Sequence, residues 1–264
     1  MSDMSDIQFF DFAAQAGLTK HLGGLEATDE LIKQCKIMEN THILDVGCGV
    51  GQTSVYIAKI VGAKITGVDI NAMMVQRSQE RAQSHGVTHL TEFRVADAQD
   101  LPFDGDTFDA VITESVTAFP EDKQRAVDEY ARVTKPGGYI GLNESTWLKV
   151  PPPPEILNWA SQELGATVKP LTDDEWTNLL ENAGLEVIYT RVSEIKAQEE
   201  TQGLVKRYGY KGMIKVLFRA AQMYINNPEY RKFVQRVQKK GITPPNLTEY
   251  FGYGVYCAQK SHDK

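Results

Sequence analysis

Cysteine is scarce in this chain: Cys35, Cys48 and Cys257 are odd in number, far apart and without any C-x-x-C spacing, so neither a disulfide framework nor a zinc site is indicated. A reducing, cytoplasmic setting is the resulting expectation. No stretch approaches ~18 uninterrupted apolar residues, and the start, MSDMSDIQFF, has acidic residues but no basic region before an apolar run. Both features argue against membrane spanning and secretion. Positive charge is not in excess either; the 264 residues carry a net −7, which disfavours bulk nucleic-acid binding, although an average can hide a local patch. Also missing are G-x-S-x-G, H-E-x-x-H and G-x-x-x-x-G-K-[ST], and with them the common hydrolase and kinase readings. His85 and His89 are four apart, but Gly86 between them breaks the helix, so no metal pair is expected.

What the chain does have is the run His42 to Ser54, HILDVGCGVGQTS. Ile43, Leu44 and Val46 around Asp45 read as a buried parallel strand, and Gly47, Gly49 and Gly51 as a turn that lets a ligand approach the backbone more closely than a Cβ allows. An ordinary strand-to-helix turn is the alternative reading of such a loop. Farther on, Lys64 to Asp69 reads as a second strand ending in an acid, where a doubly wound sheet places a ribose partner. The same acid could equally cap the helix that follows. A helix from Ala72 to His85 stops at Gly86, Thr91 to Val95 alternates like a strand, and Asp97 is again an acid at a strand end.

The later segments follow the same alternation. Leu101 to Glu114 reads as a turn and a fourth strand, Asp122 to Val133 as a helix, Lys135-Pro136-Gly137-Gly138 as a stop, and Tyr139 to Asn143 as a fifth strand. Pro151 to Pro154 read as a stiff loop. A helix from Asp173 to Asn182 and a strand from Leu185 to Ser193 come next, and the last strand is expected from Phe251 to Lys260. About fifty residues between Ala197 and Leu247 read as helical. This order calls for a parallel sheet with helices on both faces.

The DVGCGVG loop, the LPFDGDTFDAVITE segment and the KPGG turn resemble the class I S-adenosylmethionine-dependent methyltransferases, most closely the small-molecule, type 11-like group that methylates quinones, sterols and amines. The likeness covers roughly residues 40 to 195, and Val50 stands where the family usually has threonine. It implies an α/β fold with a doubly wound, mostly parallel seven-stranded sheet, Rossmann-like; the family usually brings the last two strands close in sequence, so the helical residues between Ala197 and Leu247 depart from it and are assigned to a cap inserted before the last strand. Residues 1–41 would form lid helices, or equally an apolar helix packed on the sheet, 42–195 the cofactor-binding core, 196–247 the cap, and 248–264 the last strand and tail. The cofactor implied is S-adenosylmethionine. Its site residues would be Asp45, Gly47, Cys48, Gly49, Gln52, Asp69, Ile70, Asp97, Ala98 and Thr113, with the glycine backbone at the aminoacyl part, Asp69 on the ribose and Asp97-Ala98 on the adenine. His21 and His42, isolated in the sequence, are assigned structural roles.

Methyl transfer from a sulfonium needs alignment, a dry site and, for some acceptors, a base. Glu114 and Glu144, at the ends of the fourth and fifth strands, are the candidates, although either can instead hold loop N–H groups. Thr113-Glu114-Ser115 is not the N/D-P-P-Y/F of amino-methylating nucleic-acid and protein enzymes, so a small-molecule acceptor is expected. A nicotinamide-dependent reductase is a competing reading. Tyr256 and Lys260 do form Y-x-x-x-K, but four residues along a strand span ~13 Å. A non-catalytic binding module of the same fold is the other alternative.

From Gly203 to Lys240, ten basic residues face the single acid Glu229, a net +9 that leaves −16 on the rest of the chain. Met213, Leu217, Ala220 and Tyr224 recur there at helical spacing and are expected to pack, with Lys211 and Lys215 off that line. Such a cap suits an anionic acceptor, or peripheral contact with an anionic membrane that carries a lipophilic one; pairing with the acidic body is the alternative.

Overall fold

The computed structural model describes residues 6–19, 21–163, 169–195, 197–239 and 244–262. In chain order its elements are α1 (Asp6–Ala16), α2 (Gly24–Gln34), β1 (His42–Val46), α3 (Gln52–Ile60), β2 (Lys64–Asp69), α4 (Ala72–His85), β3 (Thr91–Val95) and β4 (Phe108–Glu114). There follow α5 (Lys123–Val133), β5 (Thr134–Trp147), α6 (Pro154–Glu163), β6 (Leu171–Thr172), α7 (Asp173–Asn182), β7 (Leu185–Glu194), α8 (Ala197–Asn226), α9 (Pro228–Lys239), α10 (Leu247–Tyr250) and β8 (Phe251–Lys260).

One sheet runs β3-β2-β1-β4-β5-β8-β7, with the two-residue β6 as an eighth strand on β5. The pairings from β3 to β5 are parallel, and β8 is antiparallel to both β5 and β7. β1 shows why the sheet needs cover on two sides. Leu44 and Val46 pack with Val127 and Tyr130 of α5 and Trp176 and Leu180 of α7, whereas Ile43, one residue out of phase, packs with Val55 and Ile57 of α3 and Val75 of α4. Side chains alternate across a strand, so a strand apolar at successive positions is stable only between two helical layers. Trp176 is wholly buried and its Nε1 donates to the carbonyl of Ser145 at 3.1 Å; truncating such a residue to alanine typically costs about 3–5 kcal/mol.

Helix ends follow local chemistry. The side chain of Asn71, not Asp69, caps α4 by accepting from the N–H groups of Met73 and Met74, and Gly86 closes that helix at φ 71. Thr172 and Glu175 form a capping box on α7. β5 runs beyond Asn143 because β8 pairs with it as far as Trp147, which sustains the polar run Asn143-Glu144-Ser145-Thr146 in a buried strand. Apolar patterning alone ends the strand too early. Pro154 opens α6, where prolines read as loop, since a first-turn proline lacks only an N–H that helices leave unpaired.

The first two helices and the insertion pack on one another. Phe12 of α1 meets Tyr230 and Phe233 of α9, and α8 packs on α1 and α2. Inside α8, Gly209 has non-helical φ 64 and ψ 165, so the helix breaks there. Its packing face after the break is Val216, Ala220 and Met223, against Ala16, Leu18 and Tyr230. This corrects the expected face, for Leu217 and Tyr224 are exposed. Lys240, part of the basic run in the sequence, lies outside the described residues. Two cysteines distant in sequence, Cys35 and Cys257, bring buried free thiols within 3.6 Å.

Candidate active site

The loop after β1 turns on glycines in left-handed conformation, Gly47 at φ 68 and Gly49 at φ 54. A Cβ on Gly47 would meet the Val116 side chain at 2.3 Å, and one on Gly49 would meet Thr19 at 3.0 Å. The loop is therefore walled by the segment after β4 and covered by the segment after α1. Cys48 is buried beneath it, with its thiol pushed well above its ordinary range by burial. Its contribution to this surface is backbone.

Strand-end acids surround the loop. Asp69 accepts from the N–H of Gly49 and from the N–H of Asn71, each at 2.9 Å, and burial raises its pKa. A carboxylate has about four acceptor positions, so further hydroxyl donors can be received beside those two. Ile70, next in sequence, exposes most of its side chain. β3 lies alongside: the N–H of Ala96 donates to the carbonyl of Asp69, and Asp97 accepts from the N–H of Gln99 at 2.9 Å, with Ala98 between them. Asp45 sits under the loop and accepts from Ser54. Its pKa rises to about 7, chiefly through burial, with Glu114 and Asp69 adding repulsion.

Glu114 and Glu144 have different surroundings. The nearly buried carboxylate of Glu114 accepts from Thr28 at 2.9 Å and Thr53 at 2.6 Å, and lies 3.3 Å from Nε2 of His21. Asn143 Nδ2 donates to the carbonyl of Leu22 at 2.8 Å and faces Nδ1 of His21 at 3.2 Å. Nδ1 also lies 3.0 Å from the carbonyl of Leu22, and Nε2 lies 3.3 Å from Thr28 Oγ1, so both ring nitrogens meet a polar partner. Burial lowers the His21 pKa to about 4, against the attraction of Glu114, so the ring is neutral at neutral pH. Glu144 lies deeper. Its Oε1 accepts from the N–H groups of Val116 and Thr117 and from Thr113 Oγ1, its Oε2 has no partner among the described residues, and burial raises its pKa. Glu144 thereby shapes the turn that walls Gly47.

The insertion reaches this site through Arg207. Its carbonyl accepts from Gln52 Nε2 and its Nη2 lies 3.5 Å from Thr53 Oγ1. Its Nε and Nη1, like Oε1 of Gln52, are buried without a hydrogen-bond partner among the described residues. Unpaired buried donors of a guanidinium are costly unless an anion meets them. Tyr208, the next residue, donates from its hydroxyl to the carbonyl of Thr19 at 2.7 Å and accepts from the N–H of Thr19 at 2.8 Å, fastening the insertion to the segment over Gly49.

The structure thus groups Asp45, Gly47, Cys48, Gly49, Gln52 and Asp69 around one loop, sets Asp97 and Ala98 beside it through β3, and links Thr113 to it through Glu144. Sequence reasoning passed over His21, Thr28, Thr53, Asn143 and Arg207. No spacing rule marks them, because three separate segments converge on Glu114; the histidine followed by Gly23-Gly24 and Thr28 was the nearest signal. Tyr256 and Lys260 are apart from the site. The Tyr256 hydroxyl meets Thr146, whereas Lys260 Nζ donates to Asp106 and to the carbonyls of Ala131 and Thr134.

Residues 44–142 match the family described as a methyltransferase domain. The chain is 30% identical over 253 residues to an uncharacterized protein of Haemophilus influenzae, covering 95% of this chain and 97% of that one. It is 33% identical to 27-O-demethylrifamycin SV methyltransferase of Amycolatopsis mediterranei over 67% of this chain and 68% of the relative. Among solved structures, a SAM-dependent methyltransferase from Geobacter sulfurreducens in complex with S-adenosyl-L-homocysteine superposes with a TM-score of 0.71 at 19% identity, covering 97% of this chain and 99% of that one.

Proposed function

The chain belongs to the class I S-adenosylmethionine-dependent methyltransferases and takes its methyl group from that cofactor; on that premise we propose that it methylates a small-molecule acceptor of anionic or lipophilic character by in-line transfer. When bound, the cofactor supplies a methyl group already activated on a sulfonium, so the protein's share is to bind, align and keep water out. The residues fit it. Three buried or half-buried acids, Asp45, Asp69 and Glu114, surround a loop whose Gly47 leaves no room for a Cβ, and the cofactor brings a net positive charge to them.

In this reading the backbone of Gly47, Cys48 and Gly49 receives the aminoacyl part, over Asp45. Asp69 holds the ribose with Ile70 beside it, Asp97 and Ala98 receive the adenine, and Thr113 closes the floor. Gln52 Oε1 is free to accept from the ammonium, and the unpaired N–H groups of Arg207 meet the carboxylate. Residues 1–41 act as a lid, 42–195 as the cofactor-binding core, 196–247 as a cap and 248–264 as the closing strand and tail. Glu114 is the group placed to take a proton where the acceptor has one to lose, with neutral His21 orienting it. Glu144 serves the same site by holding the turn at Val116 and Thr117.

The observation that carries the acceptor reading is the cover itself. Arg207 and Tyr208, which touch the site, belong to a segment that is strongly basic and, beyond Gly209, apolar on its exposed side, so an anionic or lipophilic molecule finds complementary residues on approach. A lipophilic acceptor would come from an anionic membrane surface against the insertion. The test is to incubate the protein with methyl-labelled cofactor and matched carboxylated, neutral lipophilic and amine compounds, with DNA and protein as controls. Label is expected in a carboxylated or lipophilic compound, with transfer to an anionic one falling as salt rises. Label confined to DNA or protein contradicts the proposal, and intact cofactor binding without transfer to any compound points to a binding module.

A further inference from the structure

The second half of α8 presents a face that nothing in the described structure covers. After the break at Gly209, Tyr210, Ile214, Leu217, Phe218 and Ile225 stack into one stripe, as residues near multiples of 3.6 apart do on a helix. They are 81, 65, 64, 63 and 72% exposed, respectively. The stripe is separate from the packing face, where Val216, Ala220 and Met223 lie against Ala16 and Tyr230. Lys211 and Lys215 run along one border of it, both exposed. A contiguous apolar patch with a charged border is the mark of an interaction surface.

We infer that this face docks in the plane of an anionic lipid surface. The occupant follows from charge. Lysine stems can lie along the apolar stripe while their ammonium groups reach outward to phosphate headgroups, and residues 203–240 supply a local excess of +9 in a chain that is otherwise acidic. A second copy of the chain packed on the same stripe would set Lys211 and Lys215 near their own counterparts, where like charges repel. No helix among the described residues is long and apolar enough to cross a membrane, so the helix lies on the surface.

This docking deepens the acceptor reading. Gly209 separates two parts of one helix: Arg207 and Tyr208 on its near side touch Gln52, Thr53 and Thr19 at the site, and Tyr210 on its far side begins the stripe. A lipophilic acceptor leaving the lipid surface along α8 therefore arrives at the cofactor loop. A residue in left-handed conformation whose Cβ position meets nothing within 4 Å gives the two parts room to turn relative to each other.

The experiment is co-sedimentation of the full chain with vesicles of phosphatidylcholine alone and of phosphatidylcholine mixed with phosphatidylglycerol. Binding is expected to the mixed vesicles and to be at least ~10-fold weaker to the neutral ones. The double variant Ile214→Asp with Phe218→Asp should lose the binding, and Lys211→Glu with Lys215→Glu should weaken it by several-fold, as should added salt. Unchanged helical circular dichroism and unchanged S-adenosylhomocysteine affinity in these variants establish that the fold is intact. No binding to mixed vesicles, equal binding to both kinds, or a concentration-dependent dimer that Phe218→Asp dissociates would each overturn the inference. Methylation of water-soluble acceptors without vesicles is measured separately, so failure here is distinguishable from failure of the acceptor reading.

Discussion

The cofactor loop and the insertion that covers it share Arg207 and Tyr208, and otherwise they are made in opposite ways. Around Gly49 acids and hydroxyls are buried and paired, and the backbone stands in left-handed conformations that neighbouring side chains enforce. Beyond Gly209 the insertion packs one face and leaves another, with Tyr210, Ile214, Leu217, Phe218 and Ile225, in solvent beside Lys211 and Lys215. Under the proposed function the difference follows from transfer chemistry: the cofactor, common to the family, would be met by the fixed cradle, and the particular acceptor by the more variable surface.

Gly47→Val should break the fixed half most severely. The new side chain would collide with Val116 at a backbone angle that β-branched residues avoid, and we expect at least a ~100-fold loss of S-adenosylhomocysteine affinity. Calorimetry that finds less than a ~3-fold loss would mean the loop is not the cradle.

The next largest effect is a pair of opposed pH dependences. His21 has a folded pKa of about 4 against 6.5 in the unfolded chain, so its contribution to stability is present above pH 6.5 and is lost as pH falls through 4. Asp45 has a folded pKa of about 7 against 3.8; its contribution is present below 3.8 and is lost as pH rises through 7. Each amounts to about a few kcal/mol over its window, and in the native chain they offset each other. Denaturant unfolding between pH 4 and 7 should therefore show stability falling with rising pH in His21→Gln, relative to the native protein, and rising with pH in Asp45→Asn. Parallel curves for all three proteins would contradict the burial of either group.

The two glutamates sharpen the comparison at smaller cost. Glu144→Gln keeps the oxygen that accepts from Val116 and Thr117 and should change stability by less than ~1 kcal/mol, whereas Glu144→Ala strands buried donors and should cost about 2–4 kcal/mol. Glu114→Gln should lower turnover by at least ~10-fold for an acceptor that loses a proton. Near-normal turnover in both glutamine variants would leave no base among them.

The fold was legible wherever local periodicity and punctuation decide it. β2, α4, β3, α7 and β8 begin and end as their residues predict, because a glycine, a cap or a change of period marks each end. Legibility failed where long-range pairing overrides local pattern, as at Glu144 to Trp147, where β8 extends a strand through polar residues. The site divides along the same line. The Gly loop and Asp69 come from one contiguous stretch and could be read from it, while His21, Thr28, Asn143 and Arg207 meet Glu114 and Thr53 only after folding. Sequence also set Met213, Leu217, Ala220 and Tyr224 as the packed face of α8, of which Ala220 packs while Leu217 and Tyr224 are exposed, since two apolar faces on one helix cannot be told apart by spacing alone.

Whether Arg207 of the insertion completes the cofactor site is decided by the affinities of S-adenosylmethionine and its decarboxylated analogue for the native protein and for Arg207→Met. The native protein is expected to prefer the carboxylated form by roughly 10- to 150-fold, as a charge-assisted hydrogen bond allows. In Arg207→Met that preference should shrink to a few-fold, with Arg207→Lys restoring part of it and affinity for the decarboxylated analogue unchanged. If Arg207→Met keeps the full preference and instead raises only the KM for the acceptor, the guanidinium belongs to the acceptor and does not complete the cofactor site.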